Sequence, residues 1–191
     1  FPYTTLFRSE PYFRQEGMAF RVVPMKVPES QGGRGGIAKD IMYENLMNKF
    51  AFRNLGDDSD VYLDANIRRM MGNFRNNYIR LALTFLTEAD QLETRLPAFR
   101  EANPDTVATV QESIQEYRQK AINLIQKMNT LISPNVARPA SYVYAQMGQI
   151  YAQLSTKGFE DLREQARQYL DLARQNAMSE LRFKYIVKGQ K

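Results

Sequence analysis

Residues 60–86, DVYLDANIRRMMGNFRNNYIRLALTFL, decide the fold class. Ile67, Met71, Phe74, Tyr78, Leu81 and Phe85 recur alternately four and three positions apart, which keeps them on one face of a helix. Met70, Ala82 and Leu86 widen that stripe, while Arg68, Arg69, Arg75 and Arg80 fall mostly outside it and read as a solvated basic back. Asp64 stands where an N-cap is needed, because its carboxylate can accept a bond from a first-turn amide that has no helical partner. A lone helix of this length is marginal in water, so its apolar face must be buried against other elements.

Three later segments have spacings suited to that burial. Residues 88–104 are polar, carry Pro97 and Pro104, and read as a connection. Asn103 then reads as an N-cap with Pro104 at the first helical position. The series Val107, Val110, Ile114, Tyr117, Ala121, Leu124, Met128, Leu131 predicts a long helix, antiparallel to the first and joined to it by a coiled-coil-like seam. Ser133-Pro134 ends it. A third helix is expected from Ala140 to Leu154, with Tyr144, Met147, Tyr151 and Leu154 inward. After Gly158 a fourth runs from Phe159 to Tyr185, with Leu162, Ala166, Tyr169, Ala173, Ala177 and Leu181 inward. The basic end, residues 184–191, complements a helix C-terminal dipole.

Upstream the chain is less regular. Residues 1–9, FPYTTLFRS, match the translation of a common sequencing-adapter end (TTTCCCTACACGACGCTCTTCCGATCT), so the biological sequence is expected to start near Glu10. Met18, Phe20 and Val22 alternate with Ala19, Arg21 and Val23, a short extended segment that Pro24 and Pro28 confine to a sheet edge. SQGGRGG, residues 30–36, is a flexible loop without the spacing of a phosphate-binding loop. Asp40 is placed to cap a short helix over Ile41–Phe52, with Met42, Leu46 and Phe50 on one side. In the linker GDDSD and beyond it, Asp57, Asp58, Asp60 and Asp64 lack the spacing and closing glutamate of a calcium loop.

Composition narrows the chemistry. There is no Cys and no His, which excludes disulfides, thiol and histidine catalysis and the usual zinc sites. The net charge of +5 is spread among acids, which argues against nucleic acid as a partner. No carboxylate pair is brought together by periodicity, and no apolar run approaches the ~20 residues of a membrane span. No catalytic residue, cofactor, metal or small-molecule substrate is therefore expected.

Two patterns resemble known proteins. Tyr144-x2-Met147-Gly148-x2-Tyr151 followed by Ala166-x3-Leu170-x2-Ala173 resembles the tetratricopeptide repeat, with small residues where helices approach and large ones beside them. Tyr78-x2-Leu81-Ala82-x2-Phe85 and Ala121-x3-Ile125-x2-Met128, then Pro134, give a similar frame, although both copies carry extra residues between their helices. The expected fold is all-α: two stacked antiparallel helical hairpins (tetratricopeptide-like), preceded by a short extended segment and a short helix. The boundaries are 1–9 for the adapter segment, 10–36 for the extended segment and Gly-rich loop, and 37–58 for the short helix and linker. The hairpin domain then spans 59–188, with a frayed tail over 189–191.

The strings GMAFRVVPMKVP, KDIMYENLMNKFAFRNL and DVYLDANIRRMMGNFRNNYIRLA, over residues 17–88, resemble the soluble C-terminal region of a family of multispanning membrane proteins. That family is the protein O-mannosyltransferase-like one of Bacteroidota, in the glycosyltransferase-C class. The resemblance implies a non-catalytic accessory domain on the periplasmic face of the inner membrane, partnered by the membrane-embedded part of the same polypeptide. The family's sugar-transfer chemistry belongs to that part, so no catalytic residue carries over. It further implies that Asp40, Tyr43, Asn45, Asn48 and Phe50 dock the domain on the membrane part or on the extended N-terminal segment. The alternative is a freestanding tetratricopeptide-like adaptor that binds a protein partner.

Overall fold

The computed structural model describes residues 10–27, 35–56 and 61–189. The adapter-like segment, most of the Gly-rich loop, most of the GDDSD linker and the last two residues lie outside them. The chain is predominantly helical, with one small three-stranded sheet. It clusters into two compact units: residues 10–53 with 77–131, and residues 54–76 with 132–189.

In the first unit the sheet comprises β1 (Phe13–Gln15), β2 (Phe20–Val22) and β3 (Gly36–Ile37), in the order β2-β1-β3. β1 pairs antiparallel with β2, Arg14 opposite Arg21, and parallel with β3. The extended segment is thus shorter than its alternating pattern suggests, and all of β2 is exposed. The strand that organises the sheet lies earlier, because Gln15 is buried: its amide donates to Gly17 O at 3.0 Å and Asn77 Oδ1 at 2.8 Å, and its oxygen accepts from Arg80. Between β1 and β2, Gly17 has φ +146°, and a Cβ there would lie 2.8 Å from the Phe50 ring, so only glycine fits.

Helix α1 (Lys39–Glu44) continues as a π-helical turn over Asn45–Lys49. It begins earlier than expected, at Lys39, and its N-cap is Ala38. Asp40 does not cap it; it lies inside the first turn, where its charge still suits the helix dipole. Met42 and Leu46 are completely buried.

Helix α2 (Ala65–Ala102) contributes residues 77–102 to this unit. Tyr78, Leu81, Ala82 and Phe85 form its buried stripe, as the spacing predicts, and Leu86 and Ala89 extend it. The helix does not stop near Leu86. It runs on through Pro97, although a proline forfeits one backbone bond and crowds the preceding turn. The segment is held to α3 (Val107–Leu131) by Arg118, which is 4% exposed and reaches Glu93 at 2.9 Å and Asp90 at 4.0 Å. Pro104 opens a 3-10 turn before α3, and Asn103 supports that turn through its backbone carbonyl rather than its side chain. Ile114, Ala121, Leu124, Ile125 and Met128 are the buried face of α3.

Tyr78 donates its hydroxyl to Leu46 O at 3.0 Å, so it serves a carbonyl near the end of the α1 segment. Burial pushes its pKa up to about 12. In the unfolded chain a tyrosine ionises near pH ~10. Tyr78 therefore contributes stability that is fully present below that pH and is lost as pH rises toward the folded value. Urea midpoints are expected to fall steeply above pH ~10, and Tyr78→Phe should flatten that fall while costing about 1 kcal/mol at neutral pH. Equal slopes in both proteins would refute the assignment.

In the second unit, Asp64 Oδ1 accepts from Ile67 N at 2.8 Å, so the N-cap of α2 forms as read. The covered arc of residues 65–76 is centred on Met71 and Arg75. Ile67 and Met70, expected inward, are exposed, and Phe74 is half-buried. Helices α4 (Ser141–Ser155) and α5 (Leu162–Gly189) pack on each other. Ser141 meets Glu180, and Gly148 meets Leu170, so the two run antiparallel. Tyr144, Met147, Tyr151, Leu154, Leu162, Ala166 and Ala173 are buried. Tyr169 stacks on Tyr144 and leans on Tyr151.

Leu181 was expected inward and is 51% exposed. The reason is length. With 15 residues α4 is about 22 Å long. With 28 residues α5 is about 42 Å long. Because Glu180 already meets the first residue of α4, Leu181, Phe183, Tyr185 and Ile186 run past it and are exposed.

Candidate functional site

The five residues of the expected docking motif divide. Asn45 Nδ2 donates to Glu16 O, and the Phe50 ring lies against Gly17, so these two grip the N-terminal extended segment. Tyr43 meets Phe85 edge-on, with ring centres 5.7 Å apart. Phe85 in turn packs on Tyr117 at 5.5 Å, and the Lys120 ammonium lies over all three rings. Lys39 ion-pairs with Glu88 and bonds Tyr117 Oη. Asp40 and Asn48 remain exposed; Asn48 bonds Glu44 one turn back. The motif is thus largely spent on its own unit.

The six repeat positions come together in the second unit. Tyr144, Gly148, Tyr151, Ala166 and Ala173 are buried. Leu170 is 41% exposed, yet its Cγ and Cδ2 rest directly on Gly148: a Cβ there would lie 2.7–2.8 Å from them.

A site that the sequence reading missed lies in this same unit. Arg75 is 1% exposed, although its sequence reading placed it on the solvated back. The fold buries it because the segment after α3 turns over it: its Nη2 donates to Ile132 O at 3.0 Å and to Ala137 O. Its Nε is buried with no hydrogen-bond partner, and it makes no ion pair among the described residues. Burial lowers its pKa to about 10, opposed by the nearby Tyr144 and Tyr142, so it is a cation at neutral pH.

Arg75 lines a pocket of about 500 Å³ together with Arg68, Arg69 and Arg138. Arg68 Nε donates to Leu63 O at 2.8 Å, Arg69 Nη2 to Asn66 Oδ1 at 3.2 Å, and Arg138 to Asn176 Oδ1. Glu180 is the acid in the wall, and Ser141 N and Oγ already bond it. A neighbouring hollow of about 490 Å³ shares Arg68 and Arg138 and adds Val61, Tyr62 and Val136. The arrangement offers cationic donors, three of them held by oxygen acceptors.

Gly72 keeps part of the wall low. A Cβ there would sit 3.8 Å from Tyr142 Oη, an ordinary contact. Gly72→Ala is therefore expected to stabilise α2 by about 0.5–1 kcal/mol, since glycine is a poor residue inside a helix. A lowered melting temperature would show that the pocket floor is tighter than this.

Among the described residues no group of three or more Asp or Glu converges as a metal site. Among them, too, no helix is long and apolar enough to cross a membrane. No family model, curated protein or solved structure matches the chain.

Proposed function

We propose that this chain is a non-catalytic accessory and interaction domain of a membrane glycosyltransferase-like protein of the protein O-mannosyltransferase-like kind, placed on the periplasmic face of the inner membrane. The observation that carries the reading is the string DIMYENLMNKF followed by VYLD-x-N, an order that composition alone does not produce. The geometry supports it in kind. Asn45 and Phe50 of that string hold the chain at Glu16 and Gly17. Such a clamp would fix the direction in which the N-terminal segment leaves the domain. The finer fold reading, two tetratricopeptide-like hairpins, draws its support from the close approach at Gly148 and from small Ala166 and Ala173 on the facing helix.

The test is long-read sequencing of the source locus across the codon of Glu10. An unbroken frame that continues upstream into a series of apolar spans, each of about 20 residues, is the expected result. A start codon close upstream with no spans would end the family reading.

The second reading, a freestanding adaptor, is favoured by one feature. Leu181, Phe183, Tyr185 and Ile186 leave large apolar side chains in solvent at the end of α5. The aromatic residues expected to line a concave binding face offer less: Tyr78, Tyr144 and Tyr151 are buried, and Tyr117 is half-buried under Lys39 and Lys120.

A further inference from the structure

We infer that the arginine pocket of the second unit binds the phosphoryl group of a small soluble phosphomonoester. The inference stands apart from the family reading and rests on this pocket alone.

The first observation is the buried cation. A guanidinium withdrawn from water loses its hydration, and proteins offset that loss with a carboxylate or another full anion. Arg75 has instead two backbone carbonyls, and its buried Nε is unmatched. Arg75 is among the residues that line the pocket, so an anion bound there would lie beside a buried cation that has no carboxylate partner among the described residues.

The second observation is the company it keeps. Four arginines line the pocket against one glutamate, a formal excess of three positive charges. Glu180 is in turn held by the amide and hydroxyl of Ser141 at the start of α4. Three of the arginines are already oriented by oxygen acceptors: Arg68 by Leu63, Arg69 by Asn66 and Arg138 by Asn176. Guanidinium groups fixed in this way lose little freedom when they close on a ligand.

Ligand class follows from charge and shape. A monocarboxylate is planar and brings one negative charge. A phosphomonoester at neutral pH brings up to two, on oxygens that point in several directions. The cationic donors here come from two separate segments, residues 68–75 and Arg138, which suits the tetrahedral group. A volume of about 500 Å³ is within the range of small-ligand sites, so the phosphoryl group can carry an organic body. The hollow that shares Arg68 and Arg138 places Val61, Tyr62, Asn135 and Val136 beside it, a mixed polar and apolar surface for that body.

The experiment is calorimetric titration of the full chain with glycerol 3-phosphate and with inorganic phosphate, with glycerol and acetate as controls, at physiological ionic strength. Saturable binding of the phosphate compounds is expected in the millimolar range or tighter, with none for glycerol and much weaker binding for acetate. Arg69→Gln and Arg138→Gln alter exposed residues and should leave the circular dichroism unchanged while weakening phosphate binding about tenfold each. Arg163→Gln, on α5 outside the pocket, should bind as the parent does. Absence of saturable heat, or equal weakening by Arg163→Gln, would overturn the proposal. Binding seen only to vesicles containing phosphatidic acid, and not to the soluble compounds, would overturn it as well.

Discussion

Phe85→Ala is expected to lower the unfolding free energy of the first unit by about 3–5 kcal/mol. Phe85 is completely buried on α2 and is the hub of the aromatic group: Tyr43 meets its edge and Tyr117 packs beside it. Truncation removes the ring's transfer free energy and leaves a cavity that two anchored neighbours cannot fill. Tyr117 is held by Lys39, and Tyr43 is fixed on the helix that buries Met42 and Leu46. Lys120 also loses the ring over which its ammonium lies, so part of the cost is the loss of an attraction between cation and ring face. The measurement is urea unfolding followed by circular dichroism. A loss below about 1 kcal/mol would place Phe85 at the margin of the core and contradict its zero exposure.

Gly148→Val is expected to destabilise the second unit by about 1–3 kcal/mol or more, in spite of the better backbone propensity of any residue over glycine inside a helix. Its Cβ would lie 2.7 Å from Leu170 Cγ and 3.2 Å from Leu170 N. The leucine side chain can rotate outward, since it is 41% exposed, but the backbone nitrogen cannot. The two sites should therefore be coupled. Leu170→Ala in the Gly148→Val background should recover part of the loss, giving an interaction energy of about 0.5–3 kcal/mol in a double-mutant cycle. Strict additivity would mean that α4 and α5 have moved apart instead of clashing.

Much of this helical frame was legible in the sequence because it is written in local spacing. Asp64 capped as expected, the α4 stripe is buried where its periodicity put it, and in α3 Ile114, Ala121, Leu124 and Met128 are buried while Val107, Val110, Tyr117 and Leu131 are half-buried. Arg75 shows where such reading fails. It stands four residues after Met71 and three before Tyr78, squarely on the inward face, yet its charge assigned it to solvent. Spacing alone would have found it, had the face been followed without regard to residue type. The pocket as a whole was beyond reach, since its walls come from three segments that only the folded chain assembles. Pro97 misled in the opposite sense. A proline in a polar stretch reads as part of a connection, yet the helix runs on through it to Ala102. Leu181 obeyed the periodicity of α5 but had no partner, because α4 is the shorter helix.

The π-helical turn over Asn45–Lys49 has a consequence for how this stretch can change over evolutionary time. A turn closed five residues back holds one residue more than an α-helical turn. Deleting a residue there would leave a more regular helix. It would also remove a position from the turn in which Asn45 bonds Glu16 O and the Leu46 carbonyl accepts from Tyr78, and would draw the following residues back by about 1.5 Å. The irregular turn thus takes up an extra residue while the preceding turn keeps Met42 buried. Substitutions within it can be absorbed singly, whereas a change in its length would have to be matched by compensating changes in β1 and in α2.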